Sequence, residues 1–160
     1  IFIFGFFIKT LFNAGELKTL DPHFSGDCFS VPGVVKSEDI TFLKNGTAPI
    51  SSDDKRGSYL GKDIQGTIYS YNPEENTERL IDLSVNVKGN FHLHGISVYE
   101  DHSGGAILAV VNHLSSGLFN STWGHSIEIS QYNSDSLNYL KSFRDPLLVS
   151  PNDIVLINKD

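Results

Sequence analysis

Methionine is missing from all 160 residues. The usual first residue of a newly made chain is therefore not here, and the sequence is expected to be a fragment. The far end points the same way, because the chain stops within Ile154-Val155-Leu156-Ile157, an apolar run that reads as a strand lacking a ladder partner. Basic charge is scarce: 12 Lys+Arg stand against 19 Asp+Glu, a net charge of −7. That balance offers no patch for phosphate backbones and argues against nucleic-acid binding. Long apolar runs are lacking too. The start, Ile1-Phe2-Ile3-Phe4-Gly5-Phe6-Phe7-Ile8, is too short to span a bilayer. Cysteine occurs once, at Cys28, so no disulfide closes within these residues. In an exported chain an odd cysteine suggests a partner elsewhere, while a buried free thiol gives the same count.

What is present is ordinary for a folded domain. Hydrophobic residues make up 39% and charged residues 19%, enough for a core and against disorder. Residues 1–20 read as a signal- or anchor-like segment, with a buried strand as the plain alternative. Residues 21–160 read as one domain, since no linker or low-complexity tract divides them. Asn45-Gly46-Thr47 and Asn120-Ser121-Thr122 are N-glycosylation acceptors in a secreted protein.

A short helix is expected near Ala14–Leu20. From Asp39 onward short β-like runs alternate with turn residues. Gly66–Tyr71 ends at Asn72-Pro73, a strong breaker. Strands are then expected at Arg79–Val85, His94–Glu100, Ala106–His113, His125–Tyr132 and Leu137–Phe143, with turns at Asp101–Gly105 and Asn133–Ser136. The fold class is all-β. Strand spacing allows a sandwich, a barrel or propeller blades. A blade needs roughly 40 to 50 residues, so about three fit, and they cannot close a ring. No WD or kelch signature repeats.

Four places carry polar groups suited to chemistry. Glu38-Asp39 opens the first clear strand, His92-Leu93-His94-Gly95 begins another, Val110-Val111-Asn112-His113 ends an apolar strand, and Asn152-Asp153 follows Pro151. Neighbours on a strand face opposite ways, so each adjacent pair can serve two oxygen-coordinated sites, which suits calcium. The plain alternatives are exposed turn acid at Glu38-Asp39 and a Pro-Asn-Asp turn. His92 and His94, two apart, would share a face and suit zinc, or stand as hydrogen-bonded core or surface histidines. His94 is also a candidate general base.

Lys36-Ser37-Glu38-Asp39-Ile40 with Asn45-Gly46 and Ile50-Ser51-Ser52, then His94-Gly95-Ile96-Ser97, Val110-Val111-Asn112-His113 and Pro151-Asn152-Asp153-Ile154-Val155 resemble the paraoxonase (serum arylesterase/lactonase) family, in its order and near its spacing. The resemblance runs from about Cys28 to the end of the chain, roughly the first half of a family member. It implies a six-bladed β-propeller with two calcium ions in a central tunnel, of which this chain holds an open set of about two to three blades. Glu38 and Asn152 resemble ligands of the catalytic calcium. Asp39, Asp153 and the Ile96 carbonyl resemble ligands of the structural calcium. His94 resembles the proton acceptor and His113 its dyad partner. Cys28 resembles a cysteine bonded to one near the carboxyl terminus, and the apolar start a retained segment used at lipid surfaces.

The implied activity is calcium-dependent hydrolysis of aryl esters and lactones by a secreted glycoprotein, possessing a lipid- or lipoprotein-associated location through its apolar start. Calcium would polarise the carbonyl and His94, with His113, would activate water. The family's other catalytic-calcium ligands, an Asn and an Asp-Asn pair, fall beyond Asp160, so this chain alone is expected to be nearly inactive. Asp53-Asp54-Lys55-Arg56 departs from the family's apolar pocket walls, and His92 from its usual Asn or neutral residue. Alternatives are a sugar lactonase of the related propeller type and a non-catalytic secreted calcium-binding propeller.

Overall fold

The computed structural model describes residues 2–19, 21, 23–28, 30–75, 80–85, 87, 89–114 and 124–159. They fall into two compact units, Ile1–Ser30 and Val31–Asp160, a boundary later than the one expected at residue 20. The first unit holds helix α1, Phe2–Ala14. Gly15 ends it with φ 81°, a left-handed conformation that glycine adopts freely. Glu16 N–H then donates to Leu11 O at 3.1 Å and Gly15 N–H to Phe12 O at 3.2 Å, a Schellman cap. The helix therefore precedes the expected Ala14–Leu20 helix, whose described residues beyond Ala14 are not helical. It also replaces the buried-strand alternative, since Ile3, Phe4, Phe6 and Phe7 are exposed. No helix among the described residues is long and apolar enough to cross a membrane.

The second unit is all-β, with two antiparallel four-stranded sheets. The first runs β1 (Ser37–Ile40), β2 (Ala48–Ser52), β3 (Thr67–Tyr71), β4 (Ile81–Asp82). The second runs β5 (Leu93–Glu100), β6 (Ala106–His113), β7 (His125–Asn133), β8 (Ser136–Phe143). In both, spatial order follows chain order, the simplest outcome of successive hairpins. Of the expected Arg79–Val85 strand, Arg79 lies outside the described residues and two of the described ones, Ile81–Asp82, are strand, while β6 begins and ends where its pattern placed it. Between β2 and β3 lies a short helix, α2 (Lys55–Tyr59).

Strand β6 shows how the core is divided. Leu108 and Val110 turn into one cluster with Ile68, Leu83, Phe91, Leu93, Ile96 and Leu137. Ala109 and Val111 turn into another with Ile127, as period-two alternation dictates. The second cluster is covered by Leu148, Ile154 and Leu156. Residues 151–157 are thus held beside the sheet without forming the expected strand. Their attachments are single: Gly95 N–H donates to Asn152 O at 3.0 Å, and Leu156 N–H to Ser97 Oγ at 3.0 Å.

Leu93 is wholly buried in the first cluster, so Leu93→Ala is expected to lower unfolding free energy by about 3 kcal/mol, measured by urea titration. At Gly95 an added Cβ would lie 2.3 Å from Asp153 Oδ1 and 2.4 Å from its Cα. Gly95→Ala should therefore detach residues 151–157, seen as faster amide exchange at Leu156 with little change across β6.

Candidate metal and catalytic site

Two irregularities build the site. The β1–β2 register shifts between Ser37 and Asp39, leaving Glu38 as the extra residue of a β-bulge. The β5–β6 register shifts between Leu93 and Ile96, placing His94 and Gly95 in a second. Bulges re-aim side chains that alternation would send apart. Here Glu38, Asp39, His94, Gly95, Asn152 and Asp153 line one cavity of about 110 Å³. Each acid-bearing pair follows a left-handed residue by two positions, Lys36 at φ 52° before Glu38 and Ser150 at φ 51° before Asn152. Such conformations cost non-glycine residues of order 1–3 kcal/mol.

Hydrogen bonds lock the cavity walls. Asp39 Oδ1 accepts from Ile40 N–H at 2.8 Å and Oδ2 from Ile96 N–H at 2.9 Å, joining the two sheets. Ser51 Oγ–H donates to His94 O at 2.6 Å. Asp153 Oδ1 accepts from Ile154 N–H at 2.7 Å. His113 Nε2 lies 2.9 Å from Pro151 O. A carbonyl only accepts, so this nitrogen carries the proton, and His113 pins the residue before Asn152. Ile96 enters through its backbone N–H, its side chain lying in the core.

The imidazoles form a file. His94 and His113 have ring centroids 4.7 Å apart at 42°, and His125 meets His113 edge-on, also at 4.7 Å. Burial holds both His94 and His113 below an imidazole's ordinary pKa. For His94 the Lys55 ammonium adds to this, partly opposed by Glu38. For His113 the Pro151 carbonyl opposes it. Both rings are therefore neutral near pH 7, the form a general base requires.

Lys55 is the residue whose role the sequence did not signal. Its ammonium binds Glu38 Oε2 at 2.8 Å and also contacts His94 Nε2. An ammonium has only protons to offer, so Nε2 carries the lone pair and Nδ1 the hydrogen, facing Glu38 Oε2 at 3.6 Å. Asp54 caps α2 by accepting from Gly57 N–H at 3.0 Å and pairs with Lys36. Beside it Asp53 is buried against His92, whose Nδ1 lies 3.4 Å from Oδ2. His92 thus faces a carboxylate.

The donors at the cavity suit a hard cation. Three carboxylate residues, Glu38, Asp39 and Asp153, line the cavity together with Asn152. Among the described residues no three His, Cys, Asp or Glu side chains form a metal-holding group by themselves. A cation here would need amide, carbonyl or water oxygens too, which calcium accepts among its six to eight ligands. Elsewhere, Cys28 is exposed, removing the buried-thiol alternative. Asn45 is an exposed turn residue whose Oδ1 accepts from Thr47 N–H at 3.0 Å. Asn120 lies outside the described residues.

Comparison with known proteins gives the family. The arylesterase family model matches residues 27–160. Serum paraoxonase/arylesterase 2 of Gallus gallus is 33% identical over 151 residues, covering 89% of this chain and 41% of that protein. Serum paraoxonase/arylesterase 1 of Homo sapiens is 32% identical, covering 95% and 43%. Serum paraoxonase/lactonase 3 of Homo sapiens is 34% identical, covering 78% and 35%. The chain spans about two fifths of the length of the first two. By the extent of the family match and the agreement of its relatives, this chain belongs to the arylesterase family, that of the serum paraoxonases.

Proposed function

We propose that the whole protein is a secreted, calcium-dependent hydrolase of aryl esters and lactones, and that this chain supplies its base and part of its cation site. The carrying observation is that two distant dipeptides, Glu38-Asp39 and Asn152-Asp153, border one small cavity with His94. The names of the relatives, arylesterase and lactonase, supply the substrate class. In this reading the two four-stranded sheets are two blades of a six-bladed propeller. Cys28 bonds a cysteine outside these residues, Asn45 and Asn120 carry glycans, and the apolar start meets a lipid surface.

Glu38 and Asn152 would hold the catalytic calcium, and Asp39, Asp153 and the Ile96 carbonyl the structural one. Bound calcium supplies a Lewis acid that polarises a carbonyl oxygen. The remaining work belongs to the chain. His94 Nε2, bearing the lone pair, takes a proton from the water that attacks the carbonyl carbon. Glu38, 3.6 Å from Nδ1, steadies the imidazolium so formed. His113 backs the His94 ring and, through Pro151, holds Asn152 at the cavity wall.

Hydrolysis of a lactone and an aryl ester by the whole protein, with and without a calcium chelator, tests the assignment. Loss of both activities on chelation and return on calcium addition is expected. Calcium binding without turnover of either substrate would leave a non-catalytic binding protein. In the whole protein His94→Gln should cut lactone turnover by about 10²–10⁴-fold while calcium affinity stays within twofold or so of the parent. Undiminished turnover removes His94 from the mechanism.

A further inference from the structure

One cation already belongs to the cavity. Lys55 touches two of its functional atoms at once, Glu38 Oε2 and His94 Nε2. Its backbone is placed with care: Asp54 is fixed by Gly57 N–H and Lys36, and Asp53 is sunk beside His92 with 0% side-chain exposure. The loop therefore holds Lys55 at the wall. The side chain keeps 24% of its surface exposed, so its long stem can swing outward. An exposed lysine–glutamate pair stabilises little and would need no contact with a histidine lone pair.

We propose that Lys55 is a built-in competitor of the divalent cation: its ammonium and the cation contend for Glu38, and yielding Glu38 also uncovers His94 Nε2. This rests on the cation-site reading above. One carboxylate oxygen engaged by an ammonium is a poorer ligand for a dication, because binding must either displace the ammonium or accept its repulsion at close range. Cation occupancy and exposure of the base are thereby coupled through a single side chain. Water can reach the lone pair of His94 only once the ammonium has left it.

Calorimetric titration of the whole protein with calcium chloride tests the competition without any turnover. Lys55→Met and Lys55→Gln should each tighten the Glu38-dependent calcium affinity by about tenfold. Lys55→Arg, which keeps the charge, should stay near the parent. The gain should vanish when Glu38→Gln is added to Lys55→Met, which separates local competition from a general charge effect. In the unaltered whole protein, calcium should shift the Nε2 resonance of His94 in ¹⁵N spectra, a readout independent of how any variant folds. If the parent binds calcium but the neutral variants bind no tighter and Nε2 does not move, the competition is wrong and the cation site stands. If neither the parent nor any variant binds calcium, both ideas fall. Binding by the neutral variants alone supports the competition in its strongest form.

Discussion

The carboxylate of Asp39 is the fixed point of the site. One oxygen accepts from the next residue of its own strand and the second from Ile96 in the other sheet. A charge-assisted bond to backbone N–H is among the stronger hydrogen bonds a protein makes. This one crosses between sheets where β1 and β5 each break register. Ser51 adds a second crossing bond, to the carbonyl of His94 itself. The two edges are thereby held while their ladders are interrupted, which lets Glu38 and His94 point at a shared space instead of at neighbouring strands.

The second acid-bearing pair arrives differently. Residues 151–157 have no ladder, and they are placed by apolar contacts of Ile154 and Leu156 with the second core cluster and by isolated bonds from Gly95, Ser97 and His113. Gly95 allows the approach because a side chain there would occupy Asp153. The site thus joins a strongly fixed wall, Asp39, to a weakly fixed one, Asn152-Asp153. Oxygens on a segment held by few bonds could adjust to the proposed ion, which would suit calcium's tolerant geometry.

Much of the β-structure was legible, and the failures have physical causes. Strand β6 opens as an unbroken apolar run and β7 alternates Ile127 and Ile129 with polar residues, each bounded by turn residues, so their limits followed from pattern to within one residue. Strand β2 was missed because all five positions are buried, which removes alternation, and because Pro49 sits within a strand paired on both sides. Proline without an N–H argues against such a place. The last apolar run was taken for a strand because Ile154 and Leu156 alternate with Val155 and Ile157. That alternation is real in burial, yet the backbone finds side-chain and single partners instead of a ladder. The site residues were legible through short motifs. Their convergence was implied by the family resemblance alone, since it depends on bulges and left-handed residues that leave no mark in the pattern.

The same limit applies to the histidines. From spacing, a relay role and a packing role for His113 look alike, and the geometry explains why they need not be separate. Its proton-bearing Nε2 is committed to Pro151 O, its ring backs His94, and His125 closes the file behind it. A ring so tied sets where the base stands and where Asn152 stands through one rigid plane. The proposed proton acceptor and the proposed cation ligand are therefore positioned by a common support, and a change at His113 displaces both together. Lys55 shares one of these partners, touching His94 directly and Glu38 with it. The cavity's chemistry is thus set between a neutral imidazole that fixes geometry and an ammonium that contests charge.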